Sequence, residues 1–404
     1  MAKRNANLAK LPGGYLFPEI NRRKKACQDA HPEADIISLG IGNTTEPLTP
    51  HITQALAKAA EGMGMSDGYS GYGDEQGFEA LRGKIAEKLY NNVVDPEEVL
   101  VSDGAKCDIG RLQLLFGADA SVAVQDPSYP VYVDGSVIVG ATGDFDESKQ
   151  QYGGVHYMAC TPENNFFPDP ADLPPTDLIY FCSPNNPTGA VATKDQLKAL
   201  VDVARKNRSI IIFDSAYSPY ICDPELPRSI FEIDGARECA IEVSSFSKPV
   251  GFTGVRLGWT VCPKELVFED GTPVLQDWNR IMTTVFNGAS NIIQHGGLAA
   301  LDEQGLAEMR ETVGFYMENA ALIKACLDDM GVQNYGGENA PYIWAHFPGC
   351  DSWDVFAKIL NEVFVVTTPG AGFGPAGQGF VRFSAFGHRK SILEATQRLK
   401  RLSL

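Results

Sequence analysis

The chain has 404 residues, 44% of them hydrophobic and 21% charged, with a formal net charge of −17 at pH 7. That length exceeds what one core usually holds, so two domains, or a large domain with a smaller appendage, are expected. The acidity argues against nucleic acid and anionic membranes as partners, and no stretch is long and apolar enough to span a bilayer. The basic runs at 22–25 and 400–401 are short and read as solvated helix faces. The nine cysteines include no CxxC pair. That spacing argues against a disulfide framework or a metal site and for a reducing compartment. Residues 1–5 carry no apolar signal region.

Short apolar runs alternate with helical patterns through the middle of the chain, which predicts an α/β sheet. Strands are expected at 99–102, 121–125, 178–182, 209–213, 239–243 and 255–261. A helix is expected from Gly104 onward, with Ile109, Leu112 and Phe116 on one face. Thr193 and Gln196 form a capping-box pattern that opens a helix with Leu197, Leu200, Val201 and Ala204 aligned. The run 209–213 is apolar throughout, as expected where helices cover both faces of a sheet. Residues 273–329 read as mainly helical. Beyond Gly337 strands are expected at 341–347, 364–367 and 380–384, with helices at 352–360 and at the end. The expected division is an N-terminal arm, 1–48, packed with a small α+β domain, 306–404, and a large domain, 49–305.

Four pieces of sequence carry chemistry. Lys248 follows an apolar strand and the hydroxyls of Ser245 and Ser247, and Arg256 comes eight residues later. An amine held at a strand end can form an imine with an aldehyde. Hydroxyls and a forked guanidinium suit a phosphate. A loop lysine beside a structural arginine would leave the same trace. Asp214 closes the strand 209–213, with Tyr217 three residues on. Strand carboxyl ends are where open α/β sheets place ligand contacts, although a helix-capping aspartate is equally common. Asn185 lies in the run Ser183 to Gly189, which read alone is a turn. Ser102 to Lys106 forms a strand-to-helix turn whose first N–H groups make a phosphate cradle. Tyr129, after the next strand, can stack on a flat ring or simply pack.

Taken together, and in this order, the pieces resemble the class I/II aminotransferases of pyridoxal-phosphate (PLP) fold type I. The resemblance covers nearly the whole chain. It implies a mainly parallel seven-stranded sheet flanked by helices. It implies Lys248 as the Schiff-base lysine and proton shuttle, and Asp214 against the pyridine nitrogen. Asn185 and Tyr217 would meet the ring phenolate, and Tyr129 would stack on the ring. The phosphate would bind Arg256, Ser245, Ser247 and the amides of Ala105 and Lys106, with Tyr72 reaching it from a second subunit. Arg382 would take the substrate α-carboxylate.

The stretches 13–19, 40–47, 71–77, 102–107, 125–129 and 286–290 look like one subfamily, the plant-like LL-diaminopimelate aminotransferases. That likeness implies transfer of an amino group between LL-diaminopimelate and 2-oxoglutarate, or from glutamate in the biosynthetic direction. It implies substrate contacts at Tyr15, Gly42, Glu75, Lys106, Tyr129, Asn185, Asn287 and Arg382. Glu75 would lie near the distal ammonium, and a distal carboxylate would account for Lys106. Tyr15, Tyr72, Glu75 and Asn287 would come from the other copy of a homodimer. The implied compartment is the plastid stroma in a eukaryote and the cytoplasm otherwise. Asn43 departs from the Gly-Asp step of such relatives and bears on affinity. No metal is implied. The same frame serves aromatic aminotransferases and β-eliminating lyases, and some PLP-sensing regulators carry it without turnover.

Overall fold

The computed structural model describes residues 1–11 and 16–402. Seven strands form one sheet in the spatial order Val99–Ser102, Gly258–Val261, Ala240–Ser245, Ile210–Asp214, Leu178–Cys182, Val122–Asp126 and Val155–Ala159. Gly258–Val261 runs antiparallel to both of its neighbours. The other pairings are parallel.

Period-2 alternation divides the strand side chains between two cores. Ile179, Phe181, Ile211 and Phe213 meet Leu197, Leu200, Val201 and Ala204 of the helix Lys194–Asn207 on one face. Leu178, Tyr180, Cys182, Ile210 and Ile212 meet Ile109, Leu112, Trp278 and Met282 on the other. Each fully buried Leu, Ile or Phe stabilises by about 1.5–3 kcal/mol. The Lys194–Asn207 helix starts where its capping box predicts: Gln196 N–H donates to Thr193 Oγ1 and Thr193 N–H donates to Gln196 Oε1.

Beyond the large sheet, Asn334–Gly336, Tyr342–His346, Phe380–Ser384 and Thr368–Pro369 form a four-stranded antiparallel sheet. The helices Ser352–Val363 and Arg389–Leu399 share its core. The N-terminal segment joins this part of the chain, because Ile37–Ser38 pairs in parallel with Val365–Val366. The helix Glu303–Asp329 serves both cores: Leu306 and Met309 pack on the large one, Ala320, Ile323 and Leu327 on the small one. The expected division at 305/306 falls in its first turns.

Three local details differ from expectation. The strand expected at 255–261 starts only at Gly258, because Arg256 has φ 73° and its N–H turns back to Phe252 O. The run 364–367 begins with Phe364 at φ 56°, and Val365–Val366 and Thr368–Pro369 pair with different partners. Val155–Ala159 is an unexpected strand. It lies at the sheet edge and is mostly half-exposed, and His156 interrupts its apolar residues.

Candidate active site

The strand register puts the chemistry along one edge of the large sheet. Cys182 pairs with Asp214, and Gly258 pairs with both Ser102 and Ser245. The segments that leave these strand ends enclose a cavity of about 370 Å³. Its wall includes Ala105, Lys106, Tyr129, Asp214, Tyr217, Ser245, Ser247, Lys248, Arg256 and Arg382, with Gly42 and Asn43. Eleven expected cofactor and substrate contacts from distant parts of the sequence, Gly42 among them, are therefore brought to one space. Among the described residues four cations and one acid line it, in a chain of net charge −17. The cavity concentrates positive charge against the field of the whole molecule.

Asp214 is 5% exposed. Its Oδ1 accepts from Ala216 N–H at 3.0 Å and its Oδ2 from the Tyr132 hydroxyl at 2.8 Å. Among the described residues no cation lies in ion-pair range of it. Burial raises its pKa, opposed by those two hydrogen bonds. A buried carboxylate without a cation is costly, so the site suits a ligand that brings a positive group there, such as a protonated ring nitrogen.

Lys248 Nζ donates to Gly42 O. Burial, then the charges of Arg382 and Arg256, push its pKa down to about 8. Arg382 is 1% exposed. Its NH1 donates to Asn186 Oδ1 at 2.6 Å and its NH2 to Gly40 O at 2.5 Å. The guanidinium lies 4.4 Å from the Tyr342 ring centroid. Its Nε is a buried donor without a partner, and no carboxylate pairs with Arg382 among the described residues. A buried guanidinium with an open donor suits a carboxylate ligand.

The phosphate-sized end lies at the start of the helix Ala105–Phe116. Gly104 caps it at φ 127°, and a Cβ there would stand 2.6 Å from Arg256 NH2. Ser102 Oγ and Thr260 Oγ1 donate to buried Asp108 and fix the helix to the sheet. Ser245 Oγ donates to Ser247 Oγ at 2.8 Å. First-turn N–H groups, two hydroxyls and a guanidinium therefore converge, as a dianionic phosphate requires. The donor set fits PLP: a phosphate cradle, an amine, an acid for the ring nitrogen and an arginine for a substrate carboxylate.

The expectation for Asn185 is corrected. Its Nδ2 donates to Gln125 Oε1, and its Oδ1 accepts from Thr188 N–H and Oγ1. The side chain is held by Thr188 within the turn and by Gln125 from the neighbouring strand, and Asn186 lines the cavity. Tyr72, Glu75 and Asn287 do not line the cavity of their own chain. Tyr72 is 92% exposed. Asn291 Nδ2 donates to Ser70 Oγ and Gly71 O, which ties the Tyr72 loop to the Asn287 segment. Tyr15 lies outside the described residues. Sequence reasoning missed Tyr132 and Tyr342, which carry no motif. The one signal near Tyr132 is its spacing, three residues after Tyr129.

The fold and this site define a PLP-dependent aminotransferase. Residues 34–399 match the family model "Aminotransferase class I and II", and the chain belongs to that family. Among its relatives, it is 60% identical to the "Probable LL-diaminopimelate aminotransferase, chloroplastic" of Oryza sativa subsp. japonica, over 99% of this chain and 86% of that protein. It is 56% identical to the LL-diaminopimelate aminotransferase of Protochlamydia amoebophila (strain UWE25), over 99% and 97%. The solved L,L-diaminopimelate aminotransferase of Chlamydomonas reinhardtii superposes with a TM-score of 0.96 at 58% identity, covering 99% of this chain and 98% of that one.

Proposed function

We propose that the chain transfers the amino group of LL-diaminopimelate to 2-oxoglutarate, or in reverse from glutamate in lysine biosynthesis. The observation that carries this is one buried acid, Asp214, set among Lys106, Lys248, Arg256 and Arg382 in a single cavity. The names of relatives at 56–60% identity supply the substrate.

Bound there, PLP supplies an aldehyde for amines and a ring that takes up electron density from the α-carbon. Lys248 would hold the cofactor, and its free Nζ would move the α-proton. Asp214 keeps the ring nitrogen protonated, and Tyr132 and Ala216 N–H keep Asp214 ionised and aimed. Tyr217 and Asn186 would donate to the ring oxygen, and Tyr129 would stack on the ring. Arg256, Ser245, Ser247 and the Ala105 and Lys106 amides hold the phosphate. Arg382 orients the α-carboxylate, so that the Cα–H bond stands where Lys248 can reach it. Gly42 and Lys106 meet the rest of the substrate. Tyr15, Tyr72, Glu75 and Asn287 reach it, or the cofactor, from a second copy of a homodimer. A plastid setting accords with the name of the Oryza sativa relative. Among the described residues no helix is long and apolar enough to cross a membrane.

The test is incubation of the PLP-loaded chain with 2-oxoglutarate and single amino acids. LL-diaminopimelate is expected to yield glutamate at a rate at least tenfold above any aromatic donor. A preference for the aromatic donor would retain the class and refute the substrate.

A further inference from the structure

Two tyrosines, one from each sheet, meet in the cavity wall. Tyr217 follows the strand Ile210–Asp214 of the large sheet, and Tyr342 opens the strand Tyr342–His346 of the small one. Their hydroxyls are 2.8 Å apart. Their rings cross edge to face, with centroids 5.2 Å apart. Both side chains are buried, and burial raises the pKa of each. The Tyr342 ring also faces the Arg382 guanidinium. Gly42 approaches the Tyr342 hydroxyl so closely that a Cβ would collide with it.

One bond between two hydroxyls uses one proton and leaves the other free to turn elsewhere. The group that donates determines which proton points into the cavity. The guanidinium against the Tyr342 ring favours negative charge on that side chain, which makes its O–H the stronger donor of the two. Accepting a hydrogen bond also strengthens the acceptor's own O–H as a donor, by about 10–30% per bond.

We infer that Tyr342 is a positioning residue: its hydroxyl donates to Tyr217 and turns the Tyr217 proton toward the cofactor ring oxygen, while its ring holds the Arg382 plane. The small sheet thereby sets the electronics of a group on the large one. The inference rests on the PLP reading above.

The test uses the PLP-loaded chain and follows the pH midpoint of the cofactor's visible absorbance band. A donor on the anionic ring oxygen favours the deprotonated form, so losing it raises the midpoint. Tyr342→Phe keeps the ring against Arg382 and removes only the hydroxyl; the midpoint is expected to rise by about half to one pH unit. In a Tyr217→Phe background the same change is expected to add nothing. Tyr342→Leu also removes the ring and is expected to raise KM for the amino-acid donor about tenfold, well beyond the change in Tyr342→Phe. A Tyr342→Phe midpoint equal to wild type, or an equal shift in both backgrounds, overturns the inference. A wild-type chain with no visible band overturns the PLP reading itself, and the inference with it.

Discussion

Lys248 owes its reactivity to what surrounds it. Only the neutral amine attacks an aldehyde. At an ordinary pKa near 10.5, about one lysine in 3,000 is neutral at pH 7; at about 8 the fraction is about one in ten. The group is a base with a lowered pKa, so its neutral form grows as pH rises and saturates just above the lowered value. The rate at which apoprotein takes up PLP, followed by stopped-flow absorbance, is therefore expected to climb to about pH 8 and then level off. A climb that continues past pH 9.5 would mean that the burial and the two arginines do not act on Lys248 as described. At this scale residue type and strand-end position were readable, and Lys248, Asp214, Tyr217, Arg256 and Arg382 all reached the cavity. Asn185 was misread for a physical reason. Strand alternation ends at Cys182, and a turn with prolines at 184 and 187 gives no period from which to choose between adjacent asparagines. Gln125 settles the choice by holding Asn185, and it lies 60 residues away.

Among the elements, the strand-to-helix turn at Gly104 does the most for the site. Its φ of 127° is a conformation that side chains avoid, and the space beside its Cα is taken by Arg256. Gly104→Ala therefore pushes on the guanidinium expected to hold the phosphate. PLP affinity, read by absorbance titration, is expected to fall at least tenfold, with destabilisation of about 1–3 kcal/mol in urea unfolding. Unchanged affinity would show that this turn does not shape the phosphate end. The buried strands were legible because each carries a short apolar run. The half-exposed edge strand Val155–Ala159 was not, because its pairing with Val122–Asp126 is tertiary. Tyr342 was likewise out of reach: nothing near it in sequence indicates that it opposes Tyr217 across the two sheets.

For the whole molecule, the separation of Tyr72, Glu75 and Asn287 from their own chain's cavity is the informative fact. A two-fold dimer can deliver such a patch to the partner's cavity. If it does, Lys248→Ala and Glu75→Ala chains, each nearly inactive alone, complement one another on mixing. The mixed dimer then has one site with both residues intact, and about a quarter of wild-type activity is expected to return after subunit exchange. No recovery, with exchange verified by mass, would place Glu75 in its own chain's site or outside any site. The sequence marked these residues through family likeness alone; no local pattern tells a partner-facing loop from a solvated one.

The central claim is that Lys248 holds the cofactor. Borohydride treatment of the PLP-loaded chain fixes a lysine–cofactor linkage irreversibly, and peptide mass mapping locates it. One phosphopyridoxyl group per chain, on Lys248, with none on the Lys248→Ala chain, is the predicted result. A label on Lys106 or any other lysine, or no label at all in a chain that still turns over, would contradict it.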